Sequence, residues 1–171
     1  KLVNEFSDFA RMPKPILRKN DLVIMVKENL ELLKQLDNSI NFNFLYKNEK
    51  TLFNCDKEQL NRVFFNLIKN SIESIQQKAE NGSNFEKRIS IELIETNTHI
   101  IIMLIDSGMG FGAFTNNIKD IVNPYFTTKK NGTGLGLSIV NKIVSDHGGN
   151  IDFIPIQNGA QIKITFAKND S

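Results

Sequence analysis

Two stretches hold residue types whose spacing suits phosphate and metal chemistry. Asn66-x-x-Lys69-Asn70-x-x-Glu73 sets two amides, an ammonium and a carboxylate three and four residues apart. On a helix all four would share one side. Amide oxygens are neutral ligands suited to a hard cation such as Mg2+, and a lysine beside them meets a phosphate as a point charge. Gly132-Thr133-Gly134-Leu135-Gly136-Leu137-Ser138 has glycine at every second position and runs into Ile139, Val140, Ile143 and Val144 at helical spacing. Glycine backbone is free to take positive φ, and a helix begins with N–H groups that have no partner inside it. Such an end is an anion site, for phosphate above all. The plainer alternative is a glycine-rich turn before a helix.

Two further stretches lie between these. Asp106 ends an apolar run and opens Asp106-Ser107-Gly108-Met109-Gly110-Phe111-Gly112. A buried carboxylate is costly unless it accepts hydrogen bonds. The exocyclic amine of a purine would satisfy it, and so would a backbone N–H in a turn. Gly108 to Ala113 also fits the loose G-x-G-x-x-G/A dinucleotide pattern, but no helix opens on these glycines and no βαβ repeat surrounds them, so that reading is rejected. A Walker A loop is absent. Pro124-Tyr125-Phe126-Thr127-Thr128-Lys129-Lys130 places rings in a polar loop, the composition of a clamping lid or of a loop anchored by its own aromatics. His99 stands at a strand start, and His147 at a helix C-terminus, where its charge would be favoured. Neither belongs to a nucleophile set.

The elements that must position these groups follow from periodicity. Leu60, Val63, Phe64, Leu67, Ile68, Ile72 and Ile75 form one stripe of a long helix over about 57–78. Asp56 is its N-cap, and Gln59 has capping-box spacing. An earlier helix is expected over 21–36, capped by Asn20 or Asp21. Strands are expected at 40–46, 51–54, 88–95 and 99–105, the last continuously apolar and so central in its sheet. The glycine stretch feeds a helix over 134–146, stopped by His147-Gly148-Gly149. Strands near 150–156 and 160–167 close the chain around Gln157-Asn158-Gly159. Leu2, Val3, Phe6, Phe9 and Ala10 are the end of an amphipathic helix, broken by Met12-Pro13-Lys14-Pro15.

Composition narrows the class. The chain has 171 residues, enough for one domain with a real core. A net charge of +2 is too small to argue for nucleic acid, and the single Cys55 excludes an internal disulfide or a multi-cysteine metal site. No apolar run reaches the roughly 18 to 20 residues of a membrane span, and no signal-peptide layout is present. The expectation is an intracellular soluble domain. The start at Lys1, in mid-pattern, suggests a fragment of something larger.

In this order the stretches resemble the ATP-binding catalytic domain of bacterial two-component sensor histidine kinases. That domain's superfamily includes DNA gyrase, a heat-shock chaperone ATPase and the mismatch-repair ATPase MutL. The N box resembles Asn66-Leu67-Ile68-Lys69-Asn70-Ser71-Ile72-Glu73. The first glycine box resembles Asp106-Ser107-Gly108-Met109-Gly110. The F box resembles Pro124-Tyr125-Phe126-Thr127-Thr128-Lys129, and the second glycine box Gly132-Thr133-Gly134-Leu135-Gly136-Leu137. Val3 to Pro15 resembles the end of the second dimerisation helix and the linker of NtrY-like nitrogen-regulation kinases.

The resemblance implies an α/β fold, a two-layer sandwich with a mixed, mostly antiparallel sheet and helices on one face. It implies Mg2+–ATP held by Asn66, Lys69, Asn70, Asp106, Gly108, Gly110, Phe126, Thr127, Thr128, Lys129 and the second glycine box, Gly132 to Leu137. Asn70 would hold Mg2+ with Asn66 nearby, Lys69 would meet phosphates, and Asp106 would bond the adenine amino group. A lid is expected over about 107–133, least ordered without nucleotide. Residues 1–15 would be the dimerisation-helix remnant and linker, and 16–171 the catalytic domain. The γ-phosphate would pass to a histidine on the missing dimerisation domain, then to an aspartate of a response regulator. The full-length protein would be a homodimer anchored in the inner membrane, with this domain in the cytoplasm and no nucleic-acid partner. The superfamily's ATPases place a water-activating glutamate where Asn66 stands; asparagine is no base, which favours kinase over ATPase. A superfamily ATPase and an anti-sigma serine kinase are the alternatives.

Overall fold

A computed structural model of the chain describes residues 12–111 and 136–168. Strand β1 (Arg18–Asp21) leads into helix α1 (Leu22–Leu33), closed by a 3-10 turn at Lys34–Leu36. β2 (Asn41–Tyr46) and β3 (Leu52–Cys55) precede the long helix α2 (Lys57–Glu80). β4 (Arg88–Glu95), β5 (His99–Asp106), α3 (Gly136–Asp146), β6 (Asn150–Ile156) and β7 (Gly159–Ala167) complete the order.

Side-chain alternation builds a five-stranded sheet in the order β2-β4-β5-β7-β6. β2 runs parallel to β4; the other pairs are antiparallel. Cross-strand register lines up Leu93, Ile102 and Ile164 in one row and Ile91, Leu104 and Ile162 in the next. All six are buried, while Ile101, Met103 and Lys163 on the other face are half-exposed. The helices therefore cover one face, and β5 is central, as its apolar run predicts. The row beyond Leu104 is Ile89, Asp106 and Ala160. Asp106 thus stands on the helix-covered face of the sheet.

The apolar stripe of α2 is buried throughout, from Leu60 to Ile75. Ile139, Val140, Ile143 and Val144 of α3 are buried beside it. Each such side chain contributes on the order of 1.5 to 3 kcal/mol by leaving water. At the hairpin between β6 and β7, Asn158 takes a positive φ of 63°, a conformation asparagine tolerates better than most residues. No described helix is long and apolar enough to cross a membrane.

Three local expectations change. β1 pairs antiparallel with β3 in a separate two-stranded ribbon; its sequence, Arg-Lys-Asn-Asp, has no apolar alternation to reveal it. Asp21 does cap α1, its Oδ1 accepting from Val23 N, and the same oxygen accepts from Thr51 N, joining the helix to the start of β3. Asp56 caps α2 through Gln59 N, but the Gln59 side chain donates to Pro13 O and leaves the capping box half-made. His147 supplies the other half. Its Nδ1 donates to Ile143 O at 2.8 Å and its Nε2 accepts from Asp56 N at 3.0 Å. His147 thereby links the end of α3 to the start of α2. The amphipathic segment of residues 1–11 lies outside the described residues.

Asp56 also accepts from Ile16 N through Oδ2 at 2.9 Å. Asp56→Ala removes the cap and this acceptor together. Its urea-unfolding stability should fall by about 1 to 2 kcal/mol, and Asp56→Asn, itself a good cap, should lose less. Equal losses would show that the cap is not the source.

Candidate functional site

Four residues of α2 and its C-cap receive the loop that follows β5. Ser71 Oγ donates to Asp106 Oδ2 at 2.8 Å. Ser74 Oγ accepts from Met109 N at 2.8 Å. Lys78 Nζ donates to Ser107 O at 2.9 Å and lies over the Phe85 ring. Asn81 Nδ2 reaches the sulfur of Met109. The positions step by three and four residues, so they form one stripe along the helix. Sequence reading missed this stripe. Its signal was present, small and polar residues at helical spacing, but four polar residues in a helix resemble any solvated edge until their partner is known.

The glycines of this loop answer to close approach. A Cβ on Gly108 would strike the Ser74 side chain, and one on Gly110 would come within 2.7 Å of Gly159 O. Gly110 also has a positive φ of 78°, which other residues adopt only with strain. Gly108 N donates to Asp106 Oδ1 at 2.9 Å. Ser107 continues the β4–β5 pairing by exchanging bonds with the Arg88 backbone. Phe111 then packs edge-on against Phe153 of β6.

Asp106 is 6% exposed. Its two oxygens each accept one internal hydrogen bond, and an ionised carboxylate has room for about four. It can therefore take a further donor. Of the two partners left open by its sequence, the backbone N–H in a turn is present, and the ligand amine remains compatible with it.

Asn66, Asn70 and Glu73 are half-buried on α2, and Lys69 is exposed with its Nζ 5.9 Å from the Phe65 ring. Asn70 precedes Ser71, so the Asp106 loop is fastened to α2 next to the amide face. The structure thus brings together the N box and the first glycine box. Among the described residues no group of three His, Cys, Asp or Glu side chains could hold a metal. A cation here would rest on neutral amides and on the ligand's own charge, which is the donor set that Asn66 and Asn70 offer. Gly136 begins α3, and Leu137 packs against the core. Phe126, Thr127, Thr128, Lys129, Gly132, Thr133, Gly134 and Leu135 lie outside the described residues, as does most of the expected lid.

Residues 55–170 match the family described as histidine kinase-, DNA gyrase B- and HSP90-like ATPase. A sensor histidine kinase of Rickettsia felis, named NtrY-like, is 37% identical over 166 residues, covering 96% of this chain and 26% of that protein. The chain therefore spans about a quarter of such a relative's length. The nucleotide-free catalytic domain of histidine kinase ThkA superposes with a TM-score of 0.76 at 27% identity, covering 90% of this chain and 96% of that one. ThkA in complex with the response regulator TrrA gives a TM-score of 0.78 at 25% identity, covering 98% of this chain and 46% of that one.

Burial holds the Asp106 carboxyl above the usual carboxylate range, against the opposing pull of the Gly108 N–H, the Ser71 hydroxyl and Lys78. The folded chain therefore takes up this proton at higher pH than the unfolded chain does. Between the two values the native state holds more protons, so stability falls as pH rises through that window, and the cost is complete above the folded value. Asp106→Asn removes this dependence. Measured by urea unfolding at stepped pH, the variant should gain on the parent as pH climbs out of the acid range. A difference that stays constant with pH would show that Asp106 carries no such cost.

Proposed function

The chain belongs to the family of histidine kinase-, DNA gyrase B- and HSP90-like ATPases, as a sensor histidine kinase catalytic domain, and on that premise we propose how it binds Mg2+–ATP and whom it serves. The observation that carries the reading is the Ser71–Asp106 bond. It fastens a buried acceptor beside the amide face of α2, so one ligand can meet both.

Asp106 accepts from the adenine amino group, and the Ser71 hydroxyl and Gly108 N–H hold its carboxylate in that aim. Asn70, with Asn66 beside it, would ligate Mg2+, and Lys69 would meet the phosphates. Thr127, Thr128 and Lys129 would contact the nucleotide, and Gly132 to Leu137 with the N-terminus of α3 would cradle phosphate oxygens. Mg2+ would neutralise charge on those oxygens. Asn66 offers no base to a water, so the γ-phosphate is kept for a protein acceptor; positioning does most of the work in such transfers. The acceptor is a histidine on a dimerisation domain, followed by an aspartate of a response regulator. Residues 1–15 are read as the end of that domain's second helix and the linker, and the lid as about 107–133. The complete protein is read as a homodimeric sensor with this domain in the cytoplasm. Neither histidine of this chain, His99 or His147, matches the family's acceptor, which is expected upstream on the first dimerisation helix.

Calorimetric titration with Mg2+–ATP should show one site per chain. Asn70→Ala should weaken it about tenfold or more, the scale of losing one well-placed polar ligand. The chain alone should form no phosphohistidine, and adding the dimerisation hairpin in trans should restore it. Steady phosphate release without any acceptor would instead mark an ATPase, and no heat of binding would mark a purely protein-binding module.

A further inference from the structure

Asp56 and His147 meet at the end of the helix layer remote from the amide face. Asp56 starts α2, and His147 follows the last residue of α3. Three chain segments converge there. The Asp56 carboxylate caps α2 through Gln59 N and holds the Ile16 backbone N–H. The Asp56 backbone N–H, one of the donors a helix start leaves without an internal partner, goes to His147 Nε2. The Gln59 side chain, which would otherwise fold back onto that N–H, is turned toward Pro13 O by its Nε2, and its Oε1 is left buried without a partner among the described residues. His147 Nδ1 donates to Ile143 O, and this bond fixes which nitrogen carries the proton. The ring also packs edge-on against Phe166, itself fully buried.

We propose that His147 is a positioning residue for the nucleotide site, acting through Asp56 to set the angle between α2 and α3. This rests on the nucleotide reading above. Both helices reach that site with their other parts: α2 through Asn66 and Asn70, α3 through its N-terminus at Gly136. α3 has 11 residues, a lever of about 16 Å at 1.5 Å per residue. A tilt of about 10° at the joint would shift the Gly136 end by about 3 Å on the same geometry. Misplacement by about 1 Å is already enough to damage a phosphate-positioning site. Core packing between the helices limits their distance, but side chains packed at one stripe can rock; a directional bond between the two ends removes that freedom. A histidine can make it because its two nitrogens point in different directions, one back into its own helix and one across to the next.

The experiment has two readouts. A long-range proton–nitrogen spectrum of the histidine-labelled chain should show His147 in the neutral form with the proton on Nδ1. His147→Phe keeps the ring on Phe166 and removes the acceptor; His147→Gln keeps an acceptor within reach of Asp56 N–H. Without nucleotide, His147→Phe should move the backbone amide signals of Gly136, Leu137, Asn66 and Asn70, and His147→Gln should leave them near the parent positions. With nucleotide, His147→Phe should weaken Mg2+–ATP binding about fivefold, the factor one net hydrogen bond corresponds to, and His147→Gln should stay within about twofold. A proton on Nε2, or site amides that His147→Phe leaves unmoved, would overturn the proposal. A parent chain that binds no Mg2+–ATP would overturn the functional reading, while the amide signals would still decide whether the joint sets the helix angle.

Discussion

The bond between Ser71 and Asp106 is the constraint on which the site depends. A carboxylate on the covered face of a sheet is expensive, and burial raises its affinity for a proton. It is kept there by donors from two directions, a hydroxyl of α2 and a backbone N–H of its own turn. Those donors do more than offset its burial. They force the chain leaving β5 to run along α2, where Ser74 and Lys78 hold its next residues. Because the helix is rigid and the strand is central in the sheet, the carboxylate and the amide face of α2 keep a fixed relation.

Small residues make that contact possible. Gly108 lies where a side chain would collide with Ser74, and Gly159 lies where one would collide with the Asp106 backbone. The first glycine box is therefore a close-approach device as well as a turn.

The helix ends answer a different demand. Caps and cross-helix bonds at Asp21 and Asp56 join α1 to β3, and α2 to both the segment before β1 and α3. Each uses one carboxylate or imidazole for two partners. Such shared acceptors make separate elements behave as one body.

The sequence by itself determined the elements with strong periods. The stripe from Leu60 to Ile75, the alternating strands, the turn at Asn158-Gly159 and the four boxes were all readable, because each is a local pattern of burial or backbone freedom. From the boxes in order, the family could be named. What the tertiary structure decided were the pairings between segments distant in the chain. β1 became a strand only because β3 lay beside it. Ser71, Ser74 and Lys78 became loop anchors only because β5 ends against α2. Gln59 left its own helix cap for Pro13, and His147 took its place. A hydrogen bond needs a partner at a set distance and angle, and periodicity along one segment says which side a residue faces but not what will stand opposite it.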